Sequence, residues 1–174
     1  MNRNIEIKLR TDDIDSLRAL VESLADGECQ VLIQEDVFFP CKTGRLKLRV
    51  FPSGQGELIY YERPDANGPK QSNYIISQTS EPDTLRQALA SALGVLGIVR
   101  KTRLLYKIGQ TRVHLDTVEG LGTFLELEVV LRPYQTEEDG QAIANRLTDL
   151  LRLRQNDLVS GAYIDLLSNR PGTG

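Results

Sequence analysis

Residues 4–10, Asn-Ile-Glu-Ile-Lys-Leu-Arg, alternate polar and aliphatic side chains without a break. A period of two is the pattern of a strand, so Glu6, Lys8 and Arg10 share one face and Ile5, Ile7 and Leu9 the other. The charged alternation returns at residues 45–51, where Arg45, Lys47 and Arg49 oppose Leu46, Leu48 and Val50. It returns at 99–108 with Lys101 and Arg103, at 111–118 with Arg112, His114 and Asp116, and at 124–132 with Glu126 and Glu128. Less regular strands are predicted at 29–39, 57–63 and 70–78. The connections are mostly short turns, such as the two-residue signal Gly109-Gln110, which makes the sheet largely antiparallel.

Between the strands the period changes to that of a helix. Ile14, Leu17, Leu20, Val21 and Leu24 mark a helix over 12–25, behind N-cap candidates at Thr11, Asp12 and Asp13. A second helix is expected over 80–93, capped by Ser80 with Pro82 tolerated in its first turn. A third, capped by Thr136, covers 136–151, and a short fourth covers 157–167. These elements make one domain over residues 1–168, with a disordered tail at 169–174 where proline and glycine collect.

The helices need apolar cover and the aliphatic strand faces supply it, so the charged strand faces lie on the far side. Two arrangements are open. The charged faces meet solvent and form cross-strand ion pairs, or the sheet closes into a barrel and they line its bore. About eight strands enclose room for one small ligand. A bore lined by both signs of charge calls for a ligand, because burying an ion costs several kcal/mol unless it is paired. Glu126 and Glu128 stand roughly 6.5–7 Å apart along one strand, which calls for a cation between them or a raised pKa. Carboxylates suit Mg²⁺ or Mn²⁺ better than zinc. Lys and Arg converging from several strands suit a polyphosphate.

Composition narrows the field. Lys plus Arg number 21 against 24 Asp plus Glu, a formal charge of -3. That balance argues against a general nucleic-acid coat and leaves room for a local basic site. Two cysteines and one histidine are too few for a zinc site and lack its spacing; Cys29 and Cys41 are expected as reduced thiols in the core. No apolar run reaches the roughly 20 residues that span a bilayer, and the N-terminus enters a charged strand at once. A cytoplasmic protein without a membrane or nucleic-acid partner is the expectation.

Five stretches carry a resemblance: N-I-E-I-K-L, Q-E-D-V-F-F followed by G-R-L-K-L-R, K-T-R-L-L-Y, V-H-L-D-T-V-E-G-L-G and F-L-E-L-E. With these the chain resembles, over nearly its whole length, the CYTH superfamily. These triphosphate tunnel metalloenzymes include class IV adenylyl cyclases and thiamine and inorganic triphosphatases. The resemblance implies an α+β fold, an antiparallel eight-stranded tunnel barrel with helices packed outside. It implies phosphate binding by Lys8, Lys47, Arg49, Lys101 and Arg103, with Arg63, Lys70 and Arg112 as further candidates. Glu6, Asp116, Glu126 and Glu128 would hold Mg²⁺ or Mn²⁺, and they are also the catalytic candidates. The partner would be a nucleoside triphosphate or another polyphosphate, and a homodimer is compatible.

The stretch G-R-L-K-L-R, Y-Y-E-R-P-D, G-P-K is similar to the cyclase branch, which implies conversion of ATP to cyclic AMP and pyrophosphate. The alternatives are a triphosphatase acting on tripolyphosphate or thiamine triphosphate, and a non-catalytic nucleotide or polyphosphate binder. Three departures from the family pattern bear on that choice. Asn4 stands where a glutamate begins the signature, Phe38 where a tyrosine is common, and Glu62 about where a lysine is common. His114 is expected as a polar lining residue, and Tyr60, Tyr61 and Tyr106 as packing residues.

Overall fold

The computed structural model describes residues 1–169; the predicted tail beyond Asn169 lies outside them. Eight strands form the frame: β1 (Asn2–Arg10), β2 (Gln30–Phe39), β3 (Arg45–Val50), β4 (Gly56–Glu62), β5 (Lys70–Thr79), β6 (Gly97–Ile108), β7 (Thr111–Val118) and β8 (Gly122–Val130). Four helices join them: α1 (Ile14–Leu24), α2 (Pro82–Leu93), α3 (Glu137–Leu150) and α4 (Tyr163–Ser168). Around the barrel the order is β1, β5, β4, β3, β2, β6, β7, β8. Every neighbouring pair is antiparallel, and β8 closes onto β1 through the register from Asn4↔Val130 to Arg10↔Phe124. Closure resolves the two arrangements left open by the sequence: the charged faces line the bore.

The period of two does the sorting. Ile5, Ile7 and Leu9 of β1, Val113 and Leu115 of β7, and Leu125, Leu127 and Val129 of β8 point outward into one apolar core. The stripes of α1 (Leu17, Leu20, Val21) and α3 (Ala144, Leu147) cover it. On the other side α2 sets Leu85 and Leu89 against Val37, Phe39 and Leu48. Burying each such side chain is worth about 1.5–3 kcal/mol relative to exposure, so a one-residue slip in any of these strands would forfeit the burial of several side chains at once.

The predicted elements hold, with local shifts. Helix α1 starts at Ile14, because Asp13 is the N-cap and accepts from the Ser16 amide at 3.1 Å. Thr136 caps α3 in a full capping box with Asp139. Ser80 is not the cap of α2. Pro82 takes the first turn, where its missing N–H costs nothing, and this leaves Glu81 at the N-cap without a side-chain bond. The expected helix over 157–167 contracts to α4, preceded by a 3₁₀ turn at Gln155–Asp157. Both cysteines are free, but Cys41 is exposed rather than in the core.

One glycine is dictated by packing. Gly140 sits inside α3, where a Cβ would lie 2.4 Å from Cγ1 of Ile5 and 2.6 Å from Cδ2 of Leu131. Alanine gains about 1 kcal/mol in helix propensity, and overpacking costs about 1–3 kcal/mol. Ile5 is wholly buried in the barrel wall and cannot yield, so the second effect wins. Gly140→Ala is expected to lower the urea midpoint, and a raised midpoint would show that α3 can slide outward.

Candidate functional site: the charged bore

The bore encloses a cavity of about 400 Å³. Seven basic residues line it (Lys8, Lys47, Arg49, Arg63, Lys101, Arg103, Arg112) against five acidic ones (Glu6, Asp36, Glu57, Glu126, Glu128). The chain is acidic overall, yet the lining carries the opposite balance. The strand order sets the walls: β8 and β3 lie four strands apart in either direction round the barrel. Glu126 and Glu128 therefore stand across the bore from Lys47 and Arg49.

One end of the bore is closed from outside the sheet. Ala162 and Tyr163 enter it at the start of α4, packed with Phe38, Val99, Val118, Leu121 and Phe124. Tyr163 donates to Asp116 Oδ2 at 2.8 Å, and its ring lies 4.0 Å beneath Lys8 Nζ. Arg63 ties this segment to the wall, donating to the Gly161 carbonyl at 2.7 Å and meeting Glu6 at 3.3 Å. Arg45, on the charged face of β3, is used at the same end, pairing with Asp65 and Asp165 at 2.8 Å each. Leu32 and Leu105 line the cavity from the opposite ends of their strands, joined by Phe51 just past the end of β3.

Two carboxylates organise the cations. Asp36, 1 % exposed, accepts from Arg49 at 2.7 Å and 2.9 Å, from Lys101 at 2.8 Å and from Lys47 at 3.0 Å. Burial alone would raise its pKa; the three cations, Arg49 foremost, hold it well below the usual carboxylate range. Asp116 is gripped at both oxygens by Arg103, at 2.7 Å each. Burial also pushes Lys101 down to about 7, helped by Arg49 and Lys47 and opposed by Asp36.

On the opposite wall, Glu126 Oε2 meets Lys8 at 3.3 Å and Glu128 Oε2 meets Arg112 at 2.8 Å. Their Oε1 atoms face His114 Nδ1, at 3.8 Å and 3.9 Å. Burial works against ionisation of Glu126, but Lys8 and Arg103 keep it well below the usual range. Glu6 behaves oppositely. Burial, then the charges of Glu126 and Glu128, push it up to about 7. The three donor atoms of Glu126, Glu128 and His114, two carboxylate oxygens and an imidazole nitrogen, lie within 4.8 Å of one another and suit a divalent cation.

The shift at Glu6 has a stability consequence. Between its ordinary 4.5 and about 7, the folded chain holds a proton that the unfolded chain has released. Its contribution is therefore whole below 4.5 and lost as pH rises through about 7. Urea denaturation in EDTA at pH 5 and pH 7.5 is expected to show wild type losing stability relative to Glu6→Gln. Parallel losses in the two proteins would exclude the raised pKa.

The sequence-predicted site residues divide three ways. Glu6, Lys8, Lys47, Arg49, Arg63, Lys101, Arg103, Arg112, Glu126 and Glu128 line one cavity. Lys70 does not: its Nζ donates to the Ala66 carbonyl at 2.6 Å, because the β4–β5 connection folds over it. Asp116 is also outside the lining, its oxygens taken by Arg103 and Tyr163, so it acts on the bore through Arg103. Glu62 points outward and meets Tyr60; Tyr61 holds the bore-facing position instead. Asn4 lines the cavity, and with its amide turned to satisfy both ends its oxygen accepts from Arg112 at 3.1 Å. Asp36, Gln34 and Tyr163 were not expected. Asp36 and Gln34 were within reach, since Leu32, Gln34, Asp36 and Phe38 share parity along β2.

Comparison with known proteins agrees with this geometry. The profile of the CYTH domain family matches residues 2–163. The chain is 22% identical over 169 residues to the "Putative adenylate cyclase MJ0240" of Methanocaldococcus jannaschii, covering 93% of this chain and 97% of that one. The structure superposes on the PH1012 protein of Pyrococcus horikoshii with a TM-score of 0.84 at 25% identity, over 94% of this chain and 98% of that one. A Hippeastrum protein, "Putative adenylyl cyclase HpAC1", whose description reports a dominant triphosphatase activity, shares the fold. Its TM-score is 0.65 at 14% identity, over 96% and 94% of the chains.

Proposed function

The chain belongs to the CYTH domain family, and from that premise we propose that it is a divalent-metal-dependent enzyme that converts a triphosphate bound in its bore, with ATP as substrate and cyclic AMP and pyrophosphate as products. The observation that carries this reading is the opposition of Glu126, Glu128 and His114 on one wall to Lys47 and Arg49 on the other. A polyphosphate between the walls would meet cations on one side, and Glu126 and Glu128 on the other would hold the divalent metal that offsets their charge. Leu32, Leu105 and Phe51 add an apolar lining at one end, which an inorganic chain does not need and a nucleoside can use.

Catalysis of phosphoryl transfer is mostly positioning and charge stabilisation. In cyclisation the ribose 3′-oxygen forms a bond to the α-phosphorus while the bond from that phosphorus to the β-bridging oxygen breaks. The 3′ proton goes to a base, and Glu6, titrating near 7, has the pKa suited to accept it. Lys47, Arg49, Lys101 and Arg103 neutralise the departing pyrophosphate. A metal on Glu126 and Glu128 would supply Lewis-acid polarisation of phosphoryl oxygens.

Hydrolysis is the second reading, and Lys101 favours it. A lysine titrating near 7 inside the site can take a proton from an attacking water. The test is a panel of ATP, thiamine triphosphate and tripolyphosphate, each in Mg²⁺ and Mn²⁺, with products separated by chromatography. Cyclic AMP with pyrophosphate supports the first reading. Orthophosphate without cyclic AMP replaces it with the second. Saturable binding without turnover refutes both and leaves a nucleotide or polyphosphate binder.

A further inference from the structure

We infer that His114 is the third protein ligand of the divalent cation in the bore, and that its nitrogen makes the site select Mn²⁺ over Mg²⁺. This rests on the metal-dependent reading above and concerns which residues hold the ion and which ion they prefer.

The first ground is that Nδ1 of His114 has no other employment. It is 3 % exposed, in the middle of β7, and its Nδ1 has no hydrogen-bond partner among the described residues. A buried polar atom left unpaired costs about 1–3 kcal/mol. A histidine serving only to pack would turn that nitrogen toward a carbonyl or hydroxyl. Here it faces two carboxylate oxygens at 3.8 Å and 3.9 Å. Those distances are too long for hydrogen bonds, whereas atoms that share one ion are held apart by the ion between them.

The second ground is how the two carboxylates are held. Each has one oxygen fixed by a cation, Lys8 for Glu126 and Arg112 for Glu128, and the other turned to His114. Outer partners of this kind orient ligating carboxylates. The register places His114 opposite Glu126 and Arg112 opposite Glu128, so both arrangements are built into the β7–β8 ladder.

The third ground is elimination. Asp116 has both oxygens taken by Arg103 and Tyr163. Glu6 has one oxygen on Arg63 and does not join the three donor atoms that lie within 4.8 Å of one another. The Asn4 carbonyl, in the orientation that satisfies the amide, accepts from Arg112. The free donors are therefore two oxygens and a nitrogen, with the remaining positions of the ion left to phosphate oxygens.

Donor chemistry then sets the preference. Mg²⁺ demands oxygen ligands in near-ideal octahedral geometry, while imidazole suits first-row transition ions. Replacing one oxygen by an imidazole nitrogen penalises Mg²⁺ and favours Mn²⁺.

His114 is the only histidine of the chain, so untagged protein offers a single imidazole to observe. Pulsed EPR of bound Mn²⁺ is expected to show nitrogen modulation that changes when the protein is made with ¹⁵N-histidine, and Glu126→Gln is expected to abolish it. By calorimetry, His114→Asn should weaken Mn²⁺ about tenfold or more and Mg²⁺ much less, while His114→Asp should bring the two affinities together. Mn²⁺ bound without nitrogen coupling, coupling that survives Glu126→Gln, or unchanged selectivity in a folded His114→Asn overturns the inference. Folded wild type that binds no Mn²⁺ at all overturns instead the metal-dependent reading beneath it. The isotope comparison needs no variant at position 114, so it stands even if those variants do not fold.

Discussion

Arg103→Ala is expected to cost about 3–5 kcal/mol of stability and to weaken tripolyphosphate binding by about 2 kcal/mol or more, roughly thirtyfold. Both effects follow from one guanidinium. It holds the two oxygens of Asp116 at 2.7 Å, and Asp116 is wholly buried. Without it, the carboxylate keeps only the Tyr163 hydroxyl. The same group lines the cavity and lies 4.0 Å from Glu126, so it is a cation that a phosphate would meet. The two roles separate in a double-mutant cycle. Arg103→Ala with Asp116→Ala removes the orphaned charge and should be more stable than Arg103→Ala alone, yet bind tripolyphosphate no better. Urea denaturation and titration calorimetry in EDTA measure both. An Arg103→Ala protein as stable as wild type would mean that the pair is not a structural one. Unchanged binding would remove Arg103 from the anion site.

What the sequence made legible, and what it did not, divides along a physical line. Alternation is a local property, and in β1, β3, β7 and β8 one face is largely aliphatic, so those strands declared both their type and their inward charges, while β6 declared Lys101 and Arg103 by their spacing alone. In β4 the run Tyr60-Tyr61-Glu62-Arg63 is polar on both faces. Its facing is set by the pairing of Lys47 with Ile59, which no local pattern contains, so the sequence did not decide whether Tyr61 or Glu62 faces the bore. Gln34-Glu35-Asp36 has the same ambiguity and hid the carboxylate that holds three cations. Asp116 and Lys70 lie on readable elements, but their partners are set by how the chain folds there: the β4–β5 turn brings the Ala66 carbonyl to Lys70, and Asp116 meets Arg103 across the β6–β7 ladder and Tyr163 from outside the sheet. Tyr163 comes from outside the sheet and has no period to betray it. His114 was legible as a lining residue. Its place beside the two glutamates emerged only when the ladder set it opposite Glu126.

Asp36→Asn is expected to behave in two opposed ways: less stable alone, by about 3–5 kcal/mol, and more strongly stabilised than wild type by tripolyphosphate. The carboxylate sits on β2, between β3 and β6, and serves Lys47, Arg49 and Lys101 as their shared counter-ion. Removing its charge leaves Arg49 without the counter-ion it pairs with and withdraws the interaction that opposes burial at Lys47 and Lys101, so both lysines are pushed further down. A bound polyphosphate reverses the balance, because it supplies the missing negative charge several times over. Two effects then compete. Losing the carboxylate frees the side chains it ordered, which costs about 0.5–1.5 kcal/mol each to immobilise again on binding. Against this, each phosphate charge about 6 Å from Asp36 is repelled by roughly 3 kcal/mol at an effective dielectric of 20, and a tripolyphosphate carries several such charges. The repulsion outweighs the ordering cost, so its removal should tighten binding. Because stabilisation by a ligand grows with affinity, scanning calorimetry in EDTA should show a larger ligand-induced rise in Tm for the variant. A smaller rise would mean that Asp36 serves chiefly to order the cations for the ligand. An apo protein of unchanged stability would mean that the three cations do not need Asp36 as a counter-ion.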